Sequence, residues 1–192
     1  ACDCEGNIED CSGECGGAAG LDDCGECGGS SFEDYSLNDG AIASNYPNVL
    51  FLNSDGTVSG AGQDLHGQID IPEDLDNVIA VELGYYQALA LRSNGTVVAW
   101  GGDPNGYGLA DVPEGLTDVV EISSSQFHNI ALRSDGTVTS WGYQIPGGLE
   151  VPEGLDGVIS VSAGWTHGLA LRSNGTVACW GFTSYGVCDI PE

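Results

Sequence analysis

Lysine and methionine are both missing from this chain, and its only basic residues are three arginines, set against 29 acidic residues for a formal net charge of −26. Each absence excludes something. So acidic a surface repels phosphate backbones, which removes nucleic acids from the expected partners. Anionic membrane surfaces are disfavoured by the same sign. No apolar run approaches the roughly 20 residues of a membrane-crossing helix, so insertion is not expected. The lack of Met, position 1 included, points to a processed chain, for which a removed export signal is the usual origin. What the charge favours is divalent cations, or a salty setting in which carboxylate repulsion is screened. A merely solvated acidic surface is the plainer alternative. Two residues are plentiful: glycine, with 31, and cysteine, with eight. Six cysteines fall within the first 27 residues, and an even count in a dense cluster reads as disulfides made in an oxidising compartment. An extracellular or cell-surface protein is expected.

Internal repetition organises the rest. A turn followed by an alternating strand occurs as LNSDGTVSGAG from Leu52, LRSNGTVVAWG from Leu91, LRSDGTVTSWG from Leu132 and LRSNGTVACWG from Leu171, at spacings of 39, 41 and 39 residues. An apolar-proline step keeps the same rhythm at Ile71-Pro72, Val112-Pro113, Val151-Pro152 and Ile190-Pro191. A third string, VIAVELG, VVEISSS and VISVSAG, starts at Val78, Val119 and Val158, with GAIAS from Gly40 as a degenerate first copy. The Asn-Gly or Asp-Gly pair predicts a tight hairpin with positive φ at both positions. Alternation on either side predicts half-buried strands. The Pro closes an outer segment where a missing N–H costs little. About four short strands per 40 residues are expected, and no helix. So small a sheet cannot bury both faces alone, so neighbouring copies must stack on it.

The fourth copy carries Gly164, His167, Ala170, Leu171, Gly175, Val177, Trp180 and Gly181. In these residues it resembles the regulator-of-chromosome-condensation repeat, a β-propeller blade. The short period and the Val-Pro step resemble more closely the β-lactamase-inhibitory propellers built from that blade. The resemblance implies an all-β fold of four tandem blades, over 39–76, 77–117, 118–156 and 157–192, behind a segment 1–38 without regular secondary structure. Members of that family close a ring with about seven blades, so four imply an open or partial propeller. The first copy departs from the pattern, with Ala61 where the others have Trp100, Trp141 and Trp180, and Asn53 in place of Arg92, Arg133 and Arg172. Atypical terminal copies are what capping or interface blades look like. The family hosts exchange factors, inhibitors and plain scaffolds, so no single function is implied.

Residues 1–38 contain two near-copies, DCSGECGG from Asp10 and DCGECGG from Asp23. They resemble Asp/Cys/Gly repeats of marine surface proteins and, more distantly, thrombospondin type 3 repeats. Almost nothing there could form a core, so cross-links or metal must supply stability. Disulfides among Cys2, Cys4, Cys11, Cys15, Cys24 and Cys27 are the favoured reading, with zinc at Cys24-x-x-Cys27 the alternative. Asp3, Asp10, Glu14, Asp22, Asp23 and Glu26 supply the hard oxygen ligands that calcium takes; plain solvation is the other reading. Cys179 and Cys188 are expected to bridge within the last copy, or else to pair with the N-terminal cluster.

Catalytic constellations are not found. His128 and His167 share a repeat position with Gln87 and Asn48, which suits a structural hydrogen-bonding spot better than a ligand. His66 has no partner at motif spacing. No Ser or Cys sits in a nucleophile motif. Acidic pairs are everywhere, so none singles out hydrolysis. The three arginines are expected to pair with carboxylates and stitch blades. An enzyme is not expected. Two readings of function follow. The first is a structural protein of the cell exterior whose exposed end sheets stack head to tail into a filament or ring. The second is a monomeric or dimeric module that holds a protein or glycan partner on Tyr85, Tyr86, Tyr107, Trp165 and Tyr185.

Overall fold

Four three-stranded antiparallel sheets follow one another along the chain in a computed structural model that describes residues 42–143, 150–182 and 186–190. All of these lie in the unit Asp39–Glu192. The first sheet holds β1 (Ile42–Asn45), β2 (Asn48–Leu52) and β3 (Val58–Ala61). The second holds β4 (Val78–Leu83), β5 (Gln87–Arg92) and β6 (Val97–Gly101). The third holds β7 (Val119–Ser124), β8 (His128–Arg133) and β9 (Val138–Gly142), and the fourth β10 (Val158–Ala163), β11 (His167–Arg172) and β12 (Val177–Gly181). Each is a simple meander with its second strand in the centre. This is the expected all-β architecture of tandem blades in an open or partial propeller. Each blade has three strands among the described residues, not four. The proline step forms a turn instead, in which the carbonyls of Pro72, Pro113 and Pro152 accept from the amides of Leu75, Leu116 and Leu155. Gly115 and Gly154 take φ of +77° and +74° inside two of these turns, a conformation glycine allows at no steric cost.

The Asn-Gly and Asp-Gly turns differ from expectation in one respect. Only the glycines have positive φ, at +78°, +78°, +82° and +85° for Gly56, Gly95, Gly136 and Gly175. The Arg92 carbonyl accepts from the Gly95 amide at 2.9 Å, and the Arg92 amide donates to the Thr96 carbonyl at 2.9 Å. That is a three-residue loop with glycine at the bulge position, not a two-residue turn. The Asn or Asp is needed for its oxygen. Asn94 Oδ1 accepts from the Thr96 amide at 3.0 Å and its hydroxyl at 2.7 Å. Asp55, Asp135 and Asn174 do the same for Thr57, Thr137 and Thr176.

The core lies between blades. The central strands β5, β8 and β11 carry large residues on the face toward the next blade and small ones on the face toward the previous blade, whereas β2 has Val49 and Phe51 at the small-residue positions. Leu89 and Leu91 of β5 pack with Val119, Ile122 and Ala131 of the third blade. Ile130 and Leu132 of β8 pack with Val158, Val161 and Ala170 of the fourth. Leu50 of β2 packs with Val81, Ala88 and Ala90 of the second. The small residue leaves room for the tryptophan paired with it, as Ala88 does for Trp100, Asn129 for Trp141 and Gly168 for Trp180. A register shift at Ile79, Val120 and Ile159 lets the residues on both sides of the bulge point inward, as Val78 and Val81 do.

Candidate functional site

The third strands of the first and second blades lead into loops that the next blade holds. Gly67 and Gly108 stand at the same loop position with φ of +77° and +72°. The following carbonyls are acceptors for the next blade. Trp100 Nε1 donates to the Gln68 carbonyl at 2.9 Å, and Trp141 Nε1 to the Leu109 carbonyl at 3.3 Å. Asn129 Nδ2 also donates to the Leu109 carbonyl, at 2.8 Å, while its Oδ1 accepts from Gln87 Nε2 and Ser124 Oγ. The shared position of Asn48, Gln87 and His128 is buried in all three blades; Gln87 and His128 hydrogen-bond there, whereas neither amide atom of the Asn48 side chain has a partner among the described residues. First-strand amides are met from the preceding blade as well. Glu82 Oε2 accepts from the Ser124 amide at 3.3 Å, Glu121 Oε1 from the Val161 amide at 3.2 Å, and Ser123 Oγ from the Ala163 amide at 3.0 Å.

At the two ends this pattern has no continuation within the described residues. Ile42 is the first-blade equivalent of Val81, yet it is 68 % exposed where Val81 is fully buried. Beside it on the same face, Phe51 is exposed where the equivalent Ala90 is buried. At the other end Leu171 is 38 % exposed where the equivalent Leu91 is 1 % exposed. Val177, Val187 and Ile190 are exposed around it. The last loop repeats the interior geometry, with Gly186 at φ +72° and the Asp189 amide donating to its carbonyl at 3.0 Å. Cys179 of β12 is joined to Cys188 of this loop, their Cα atoms 5.5 Å apart, which is the expected bridge within the terminal blade.

A second feature is an aromatic rim formed by loops at one end of the strands. Tyr85 and Tyr86, in the β4–β5 turn, meet edge to face at 4.8 Å, and His66 packs on Tyr86 at 4.9 Å. Tyr107 lies 4.2 Å from Tyr143, and Phe127 stacks on Trp165 at 6.0 Å with 11° between the planes. The structure thus divides four of the five expected residues between two clusters. In the sequence His66 is a histidine without a partner at motif spacing, and Phe127 and Tyr143 were not singled out, although Phe127 occupies the repeat position of Tyr86. Trp165 is 62 % exposed. Tyr185 lies outside the described residues, as do Cys2, Cys4, Cys11, Cys15, Cys24 and Cys27 and the calcium candidates Asp3, Asp10, Glu14, Asp22, Asp23 and Glu26. Of the arginines expected to stitch blades, Arg92 Nε lies 3.5 Å from Asp76 Oδ1 and Nη2 donates to the Asp74 carbonyl. Arg133 and Arg172 make no ion pair among the described residues.

Residues 119–144 and 158–187 match the sequence model of the Regulator of chromosome condensation (RCC1) repeat. Solved structures agree on the fold. The ectodomain of the Physcomitrella patens receptor kinase CR4 superposes with a TM-score of 0.62 at 22 % identity, covering 74 % of this chain and 40 % of that one. Yeast RCC1 (Prp20), solved with Kap60, gives 0.57 at 22 % identity, covering 74 % and 43 %. The CRINKLY WD40 ectodomain of the Arabidopsis thaliana receptor kinase ACR4 gives 0.62 at 18 % identity, covering 73 % and 50 %. The chain therefore spans half the length of these structures or less. No curated protein matches it. Its third and fourth repeats are thus similar to the RCC1 repeat, and the likeness to the solved structures shows a β-propeller fold.

Proposed function

We propose that this chain is a secreted structural protein that associates with copies of itself, the fourth blade of one chain stacking on the first blade of the next. The observation that carries this is the exposure of Ile42 and Phe51 at one end and Leu171, Val177 and Ile190 at the other, at positions that are core in the interior blades or loops. A terminal repeat built as a cap would turn a polar face outward. These two faces are apolar instead, and that of the fourth blade carries the leucine of the junction the chain makes three times, while the first blade offers Val49 and Phe51 where interior blades have small residues. The eight cysteines and the likeness in fold to two receptor-kinase ectodomains support a place outside the cell. The finer likeness to β-lactamase-inhibitory propellers and, in residues 1–38, to thrombospondin type 3 repeats belongs to the same proposal. So does calcium held by the N-terminal carboxylates.

The test is light scattering coupled to size exclusion, with electron microscopy of the same fractions. The full chain is expected to form filaments or closed rings. Ile42→Asp and Leu171→Glu each place a charge in one half of the junction, so either variant alone is expected to stay monomeric. An equimolar mixture is expected to give dimers through the one intact pair of faces. A wild-type chain that remains a 19.7 kDa monomer at every concentration would sink the proposal.

A second reading rests on the aromatic rim. The exposed Trp165 and Tyr85, with Tyr86 and Tyr107 packed behind them, suit a protein or glycan partner. Yeast RCC1 (Prp20), whose fold is similar, is solved bound to a protein, Kap60. Binding on a glycan array that Trp165→Ala abolishes without loss of self-association would favour this reading over the first.

A further inference from the structure

Two departures in the repeat pattern stand at opposite ends of the chain. In the first blade Ala61 replaces the tryptophan. In the fourth, Cys179 and Cys188 replace residues that are Ala99 and Ala110 in the second. The loops after the first and second blades are held by a donor from the following blade: the Trp100 indole on the Gln68 carbonyl, and the Trp141 indole together with Asn129 on the Leu109 carbonyl, whereas Trp180 Nε1 has no partner among the described residues. Val187 is the fourth-blade equivalent of Gln68 and Leu109, on a loop with the same glycine conformation. If the next blade is the first blade of another chain, no indole arrives, because Ala61 stands in its place, and Val49 stands where Ala88 makes room for Trp100. The loop then needs another fastening. The positions of Cys179 and Cys188 are already neighbours in the first blade, where a Cβ on Gly60 would sit 2.8 Å from Cβ of Ile69. In the fourth blade the same two positions are covalently joined.

We infer that the Cys179–Cys188 disulfide replaces the missing indole hydrogen bond at the junction between chains, holding the terminal loop in its interior shape so that the face of Leu171, Val177, Val187 and Ile190 is ready for the first blade of a second copy. This rests on the self-association proposed above and adds to it a redox condition. A loop fixed before contact loses no freedom on binding, so the bridge strengthens association without touching the partner through its sulfurs. Reduction of this one bridge weakens the junction between chains and leaves the three interior junctions intact, because those are held by Trp100, Trp141 and Asn129 or by packing alone.

The experiment measures the dissociation constant between full-length chains by sedimentation, with far-UV circular dichroism to check the fold. Cys179→Ala/Cys188→Ala installs what the second blade carries at both positions, so the fold is kept. Its association is expected to weaken by about tenfold or more. Adding Val49→Ala/Ala61→Trp recreates the Ala88–Trp100 pair on the first blade and offers an indole to the Val187 carbonyl. Association is then expected to return to near the wild-type value. An unchanged constant in the double variant overturns the inference, and so does a loss that the added tryptophan does not recover. A wild type that never associates overturns the underlying reading instead, which keeps the two failures distinct.

Discussion

Burial pushes His128 down from 6.5 to about 4, with the nearby charge of His167 adding to the effect. Burial pushes Glu82 up from 4.5 to about 7, helped by the negative charge of Glu121 and opposed by the Ser124 amide. The two act on stability with opposite signs. Glu82 holds its proton more tightly in the fold, so its contribution is full below about pH 4.5 and is lost as pH rises through about 7. His128 releases its proton more readily in the fold, so its contribution is full above about pH 6.5 and is lost as pH falls through about 4. Over the shared range they largely cancel. Glu82→Gln should therefore be more stable than wild type near pH 8, by up to about 3 kcal/mol, and gain nothing near pH 4. His128→Gln, which copies Gln87 of the second blade, should show the reverse, with its gain on the acid side. Urea midpoints at a series of pH values check both, and profiles parallel to wild type would contradict the assignment.

The elements are joined at their edges by side chains. β10 is an edge strand, and Glu121 of the preceding blade receives its Val161 amide and the Ser160 hydroxyl, while Ser123 receives the Ala163 amide. Glu121→Ala leaves two donors without a partner and should cost about 1–3 kcal/mol. Amide exchange should accelerate at Val161 and stay slow at Ala163; equal change at both would mean the strand loosens as a whole. Much of this architecture was legible in the sequence, and for a physical reason. The strings from Leu52, Leu91, Leu132 and Leu171 combine a turn with alternation, and local chemistry decides both. The bulge at Ile79, Val120 and Ile159 was not legible, because three β-branched residues look alike whether they point in or out; only pairing with the central strand decides. The positive φ of Asn77 and Asp118, at +52° and +58°, was hidden for a similar reason: each carbonyl is an acceptor for the amide of Ser93 or Ser134, a contact across the blade. The buried node of Gln87 and Asn129 was legible as a position but not as a partnership, since 42 residues separate its members.

At the scale of the whole molecule the charge of −26 opposes any approach between copies. Self-association should strengthen as sodium chloride is raised from about 0.01 M to 0.5 M, as the screening length falls from about 30 Å to a few ångströms. Calcium at matched ionic strength should add a further rise in melting temperature if the carboxylates of residues 3–26 bind it, and Asp22→Asn/Asp23→Asn should remove only that added part. Identical melting curves in the two salts would limit the charge to screening. The alternation of small residues behind and large residues ahead in β5, β8 and β11 has one more consequence. It gives the stack a direction, like an arrow running from Ile42 to Ile190. Like ends do not complement each other, so the blades favour no two-fold dimer, and a growing array would have a front and a back that accept different chemistry. A copy spoiled at one face alone would then act as a terminator, ending growth in one direction and leaving the other open.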